Sequence, residues 1–253
     1  MTMNANGIVA EIRKGIAAGE YAYGARLPSV RDLAERYGVS QQTAAAAYAV
    51  LTALGLTRTA AGSGTTVAAG PSADAYLGTY APPDLTQGEA WQPNGSGGEA
   101  TEETYLVRQS TAPVEWVEWG FTEGSDVVER HRVRRVDGVP VQHKLTALPY
   151  EIASRRPEGH EGVPPMLAPV GAPPMKPPHG MRAADWLGWT VDRTRCEITA
   201  EPMDPAASEA LGMPEGSPGF RVVSIAKTAE GDTLFVTVTT APLHHRVTME
   251  IQG

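Results

Sequence analysis

The chain has 253 residues, 42% of them hydrophobic and 20% charged, which is enough for one large domain or two small ones with real cores. Its 27 glycines and 21 prolines call for long loops or linkers, and a net charge of −8 argues at first sight against a nucleic-acid partner. No apolar stretch is long enough to span a bilayer, no signal peptide is visible at residues 1–7, and the lone Cys196 cannot form an internal disulfide or a cysteine-based zinc site. A cytoplasmic protein is the expectation.

The charge is unevenly spread. Residues 1–70 carry six basic side chains (Arg13, Lys14, Arg26, Arg31, Arg36, Arg58) and four acidic ones, an excess of +2, so the remainder carries −10. That asymmetry points to two parts with different partners. In the first part, Ile8, Ile12 and Ile16 repeat at helical spacing and Gly19 ends the run. Ser29-Val-Arg-Asp32 is a capping-box-like start, followed by the apolar face Val30, Leu33, Ala34 and Tyr37 and a terminating Gly38. Ser40 caps a third helix that carries Ala44, Ala47, Tyr48 and Leu51 to Gly55. Leu56–Thr59 and Gly64–Ala68 read as strands of a hairpin. Two helices joined by Gly38-Val39-Ser40 make a helix-turn-helix, and the hairpin adds a wing.

Residues 70–103 are rich in Gly, Pro, Ser and acids and read as a flexible linker. Beyond it, strands are expected at Tyr105–Arg108, Val127–Val136, Val139–Leu148, Phe220–Thr228, Leu234–Thr240 and Val247–Ile251, with turns at Asp137-Gly138 and Glu230-Gly-Asp232. Short helices fit Pro113–Trp119, Ala183–Gly188 and Pro205–Leu211, and residues 158–180 form a proline-rich loop. Gly120-Phe-Thr-Glu-Gly-Ser125 and Gly212-Met-Pro-Glu-Gly-Ser217 share four residues at the same offsets, each after a short helix and before a long strand. This reads as a duplicated unit, with chance similarity in a Gly- and Pro-rich composition as the alternative, and two such units can share one antiparallel sheet, each covering part of the other.

Arg26-Leu-Pro-Ser29, Arg31-Asp-Leu-Ala34, Arg36-Tyr-Gly-Val-Ser40 and Gly62-Ser-Gly-Thr65 resemble the winged helix-turn-helix of GntR-type transcription factors. Arg132-Val-Arg134, Asp137-Gly-Val-Pro140, Leu148-Pro149, Leu211-Gly212 and Pro214-Glu-Gly216 resemble the effector-binding (UTRA) domain of the HutC subfamily. The resemblance implies an α+β protein: a DNA-binding head over residues 1–69, a linker over 70–103, and a chorismate-lyase-like antiparallel sheet over 104–253 that senses an effector and dimerises. The implied function is a ligand-responsive repressor, not an enzyme. Its implied partners are a double-stranded DNA operator, a small-molecule effector and a second copy.

The first residues of a recognition helix face base edges in the major groove. Here they are Ser40, Gln41, Gln42 and Thr43, and Gln bonds adenine bidentately. Arg31 and Arg58, with Gly62, Ser63 and Gly64 in the wing, complete the expected DNA surface. Relatives carry arginines near Gln41 and Ala45, so the alanines here imply fewer phosphate contacts, and a protein-interaction module with degenerate DNA binding is the alternative reading. In the sensor, Arg132 and Arg134 share one strand face, and in the family such a pair binds an anionic group; solvated ion pairs are the competing explanation. Lys144 stands where sugar-phosphate sensors carry a carboxylate. Phe235 occupies another of the family's polar positions and, with Trp186 and Trp189, lines either an apolar pocket or plain core. The six histidines show no metal spacing, no cofactor is expected, and no Gly-x-Ser-x-Gly or paired-carboxylate motif supports catalysis, so a lyase-like enzyme is the least favoured reading.

Overall fold

In the computed structural model, residues 3–60, 62, 64–69, 74–80, 99–173, 175, 178, 181 and 183–251 are described. The head opens with α1 (Ala5–Ala17), α2 (Val30–Tyr37) and α3 (Gln41–Ala53), followed by the antiparallel hairpin β1 (Thr57–Ala60) and β2 (Gly64–Val67). Each helix start follows from its cap: the side chains of Asn4, Ser29 and Ser40 accept from the backbone N–H groups of Gly7, Asp32 and Thr43. Gly38 closes α2 in a left-handed conformation, and its N–H donates to the Ala34 carbonyl. Ile8, Ile12 and Ile16 of α1 bury against Leu33 of α2 and Ala44, Ala47, Tyr48 and Leu51 of α3, with Leu27, Leu56 and Val67 beneath. The Tyr48 hydroxyl donates to the Pro28 carbonyl at 2.6 Å, so this buried phenol is satisfied and anchors the chain entering α2.

The second part is a six-stranded sheet in the order β4-β5-β6-β9-β8-β7, every neighbour antiparallel. Its strands are β4 (Ala100–Thr111), β5 (Asp126–Val136), β6 (Val139–Pro149), β7 (Arg193–Pro202), β8 (Pro218–Lys227) and β9 (Thr233–Pro242). Asp137 and Gly138 both take positive φ, the turn that the right-handed twist of a hairpin favours. The duplication is visible in the strand order. A strand, a short helix and a hairpin (β4, the 3-10 helix Val114–Trp119, β5, β6) recur as β7, α6 (Pro205–Leu211), β8, β9, and the two units meet at the β6–β9 pair. Each unit's helix covers the other: Trp116 and Trp119 pack on Val223, Ile225, Val236 and Val238, while α6 lies on β6. The opposite face is covered by α4 (Tyr150–Ala153), the 3-10 turn Pro165–Leu167 and α5 (Ala183–Trp186), through Ile152, Leu187 and Trp189.

The structure departs from the sequence reading at several elements. The edge strand β7 and the helix α4 carry no strong sequence signal, because β7 is exposed on both faces and α4 is a single turn. Parts of the segment read as linker are strands: β3 (Asp74–Tyr80) pairs in parallel with β10 (Arg246–Ile251), and β4 begins at Ala100. A parallel partner more than 160 residues away leaves no local trace in sequence, and residues 81–98 of that segment lie outside the described residues. The last strand therefore joins β3 and not the main sheet. His244 and His245 lie in the turn before β10 with their rings 4.0 Å apart.

Candidate DNA-binding and effector-sensing sites

The DNA-facing side of the head is built by the turn between α2 and α3. Gln41 and Gln42 are exposed at the start of α3, and the Ser40 hydroxyl is engaged by the Thr43 N–H at 3.1 Å and the Thr43 hydroxyl at 2.9 Å. Ser40 and Thr43 are thus committed to the cap, which leaves the two glutamines as the free amides. Arg31 is exposed at the first turn of α2, beside them in the motif. Ala45, Ala46 and Ala49 continue the exposed face with no cation.

In the wing, Gly62 has open space around it, whereas a Cβ on Gly64 would come within 3.1 Å of the Arg26 guanidinium. Gly64 is therefore small because Arg26 lies across it. Arg26 is a wing-side cation that pattern reading passed over, although it opens the quoted Arg-Leu-Pro-Ser motif. Ser63 lies outside the described residues. Arg58 was expected at the DNA, but it reaches the Thr66 hydroxyl and, at 3.4 Å, the Gly212 carbonyl of the sensor.

That contact is part of a seam between the two parts. Ala68 is buried among Met203, Ala207, Leu211 and Met213, and a Cβ on Gly55 would meet Met213 Cε at 2.6 Å. Only a glycine, here at φ +70°, lets Met213 approach so closely. A cleft of about 660 Å³ separates α3 from the sensor loop, lined by Ala45, Tyr48, Ala49 and Thr52 on one side and Pro214–Pro218 on the other.

The sensor's charged cluster sits on the sheet face that α4 covers. Alternation along β5 places Arg130, Arg132 and Arg134 there. Cross-strand partners add Glu102 from β4, and Gln142 and Lys144 from β6. Glu102 bridges two of the arginines: Arg134 Nε donates to its Oε2 at 2.5 Å, and Arg132 Nη1 to its Oε1 at 3.4 Å. Burial alone would raise this carboxyl, but Arg134, Arg132 and Lys144 outweigh it and hold it at about 2. Burial, with Arg134 and Arg132 alongside, pulls the Lys144 ammonium down to about 7. Arg130 points its Nη1 at the Met166 and Ala168 carbonyls, so it ties the proline-rich loop to the sheet. Gln142 is fully buried; its Oε1 accepts from Arg134 Nη1 at 2.8 Å, and its Nε2 has no partner. Three arginines and a lysine thus share one carboxylate and an orphaned amide donor. Such an imbalance suits an anion.

Phe235 does not join this cluster. It packs on Trp189 at 5.4 Å in the apolar cluster with Val128, Leu148 and Leu234, roughly 13 Å along β9 from Thr239, the partner of Lys144. Trp186 and Trp189 belong to the same cluster.

The other face of the same strands holds a second polar chain. The Tyr105 hydroxyl lies 2.9 Å from His143 Nε2, which is 3.3 Å from His131 Nδ1, and His131 Nε2 is 3.3 Å from Glu129. Arg108 and Ser110 complete the carboxylate's shell. Burial and then His131 bring His143 down to about 4, so it is neutral at pH 7. Among the described residues, no group of three or more His, Cys, Asp or Glu side chains is placed to hold a metal ion.

The model for bacterial regulatory proteins of the gntR family matches residues 4–67. An HTH-type transcriptional regulator of Streptomyces coelicolor is 30% identical over 224 residues, covering 84% of this chain and 78% of that one. The chain belongs to the GntR family. A crystal structure of a GntR-family regulator aligns over 98% of this chain and 97% of its own, with a TM-score of 0.52 and 20% identity, and at that identity it speaks to the fold alone. PhnF from Mycobacterium smegmatis aligns over 97% and 98% at 20% identity, with a TM-score of 0.48. As a GntR-family member the protein is a DNA-binding transcriptional regulator and not an enzyme. No helix among its described residues is long and apolar enough to cross a membrane.

Proposed function

We propose that this GntR-family chain is a cytoplasmic, homodimeric repressor of the HutC type, released from its operator by a small anionic effector. The observation that carries the reading is the cluster of Arg132, Arg134 and Lys144 around Glu102, whose cations outnumber its carboxylate. Arginine forks on a strand face bind carboxylate or phosphate oxygens with two parallel donors. The unpartnered Gln142 amide offers one more donor to the same ligand. In the head, Gln41, Gln42 and Arg31 read the operator while Arg26 and Gly62 bring the wing to the backbone.

The sensor cluster is linked to the head through β6 and α6. β6 carries Gln142 and Lys144 on one face and packs α6 on the other. α6 leads to Gly212 and Met213, which touch Arg58 and Gly55 of the head. An effector that binds one placement of α6 better than another therefore changes operator affinity by that difference and no more.

The test uses the full chain and labelled DNA from upstream of its own gene, with a panel of anionic metabolites. At 100 times its dissociation constant, the effector should add about 2.7 kcal/mol to stability and lower operator affinity. In the Arg132→Ala chain both responses should vanish, with DNA binding intact. A ligand that releases DNA equally well from that variant would place the sensor elsewhere.

A further inference from the structure

The two edges of the six-stranded sheet differ. The outer strand β4 is broken by a bulge between Thr104 and Leu106, a common device for keeping an edge from pairing. β7, at the other edge, pairs with β8 over ten consecutive residues without a register shift, and β8 is its only strand neighbour among the described residues. An unbroken ten-residue strand presents about 33 Å of edge. Its side chains are exposed on both faces, and Ile198 at its centre is 48% exposed.

The side chains of β7 divide by face. Glu201 pairs with Arg221, which lies over Trp119, so Arg193, Arg195, Glu197 and Glu201 share the face of the 3-10 helix. Cys196 meets Ser224 on the other face, which holds Thr194, Cys196, Ile198 and Ala200 and carries no charge. The charged face has its cations near one end and its carboxylates near the other. Antiparallel pairing with an identical strand centred on Ile198 therefore sets Arg195 opposite Glu201 twice, Cys196 opposite Ala200, and Ile198 against its copy. Centring on Glu197 would set that carboxylate against itself. Cross-strand opposite charges stabilise a pair and like charges destabilise it.

We propose that β7 is the self-association edge of this protein, joining a second copy in the antiparallel register centred on Ile198 to make one continuous twelve-stranded sheet. This rests on the homodimer reading above and gives it a surface and a register. A twofold interface of this kind is self-complementary and closes after two copies.

The experiment uses the full chain with Ala200→Cys, leaving the native Cys196 as the other thiol. Under copper–phenanthroline oxidation the variant should run as a covalent dimer on a non-reducing gel, while the parent chain, whose two Cys196 thiols lie four residues out of register, should not. In sedimentation, Arg195→Glu should weaken self-association about tenfold and Arg195→Glu/Glu201→Arg should restore it. A chain that sediments as a dimer but gives no cross-link, and is unmoved by Arg195→Glu, overturns the edge while leaving the homodimer in place. A chain that sediments as a monomer at micromolar concentration overturns both.

Discussion

Replacing Glu102 by Gln tests whether the sensor's cationic cluster is held by an internal counter-ion. The carboxyl falls from an ordinary 4.5 to about 2, and at about 1.4 kcal/mol for each pH unit between them its charge is worth on the order of 3 kcal/mol to the folded state. Its folded pKa is depressed, so this stability is fully present above about pH 4.5 and is lost as pH falls through about 2. At pH 7, Glu102→Gln should lose roughly 2–3 kcal/mol, because Arg132 and Arg134 keep an acceptor but not a counter-charge. In urea melts followed from pH 7 down to pH 2, the two chains should converge as the parent's carboxyl protonates. The same substitution should increase stabilisation by inorganic phosphate over chloride at matched ionic strength, since the arginines lose their internal counter-charge. Equal midpoints at pH 7, or a gap that does not close with acid, would refute the argument.

Further predictions follow from other contacts. Lys144 titrates near pH 7, and an anion favours its charged form, so binding at the sensor should be strongest below pH 7 and fall up to tenfold per unit above it. Calorimetry in buffers of different ionisation enthalpy should show proton uptake, and Lys144→Met should abolish it. Gly55→Val has both a positive φ and the Met213 contact against it, and should cost about 1–3 kcal/mol and loosen the head from the sensor, read as a blunted effector response. Arg31→Ala should lower the salt slope of DNA binding by about one per head. His143 is depressed to about 4, so its contribution to stability is lost as pH falls from 6.5 towards 4, and His143→Gln should remove that part of the acid limb.

The head was legible residue by residue because its signals are local. Caps at Ser29 and Ser40, the left-handed Gly38 and the periodicity of Ile8, Ile12 and Ile16 each act within one turn of helix. The duplicated hairpins were legible for the same reason, as a tight turn fixes its own register. Sequence did not show what depends on pairing across long separations: β3 with β10, the edge strand β7, and the placement of Glu102 between Arg132 and Arg134. The site suffered likewise. Strand alternation put Arg132 and Arg134 on one face, and the resemblance pointed to Lys144 and Phe235; pairing brings Lys144 opposite Arg132, but Phe235 lies among apolar neighbours because position along the strand matters as much as face. Nothing local to Arg58 announces its contact with a carbonyl 154 residues away. The overall −8 misled for a related reason, since it averages a slightly basic head with an acidic remainder.

The most direct test is operator binding by the full chain at low salt, measured by fluorescence anisotropy on DNA from upstream of its own gene against a scrambled duplex of equal length. Gln41 and Gln42 are the free amides at the start of α3, and each bidentate base contact is worth about 1–3 kcal/mol. The account predicts a preference for the upstream DNA that Gln41→Ala/Gln42→Ala reduces at least tenfold, with binding to scrambled DNA unchanged. A folded, dimeric chain that shows no preference, or one whose preference survives the loss of both glutamines, would contradict it.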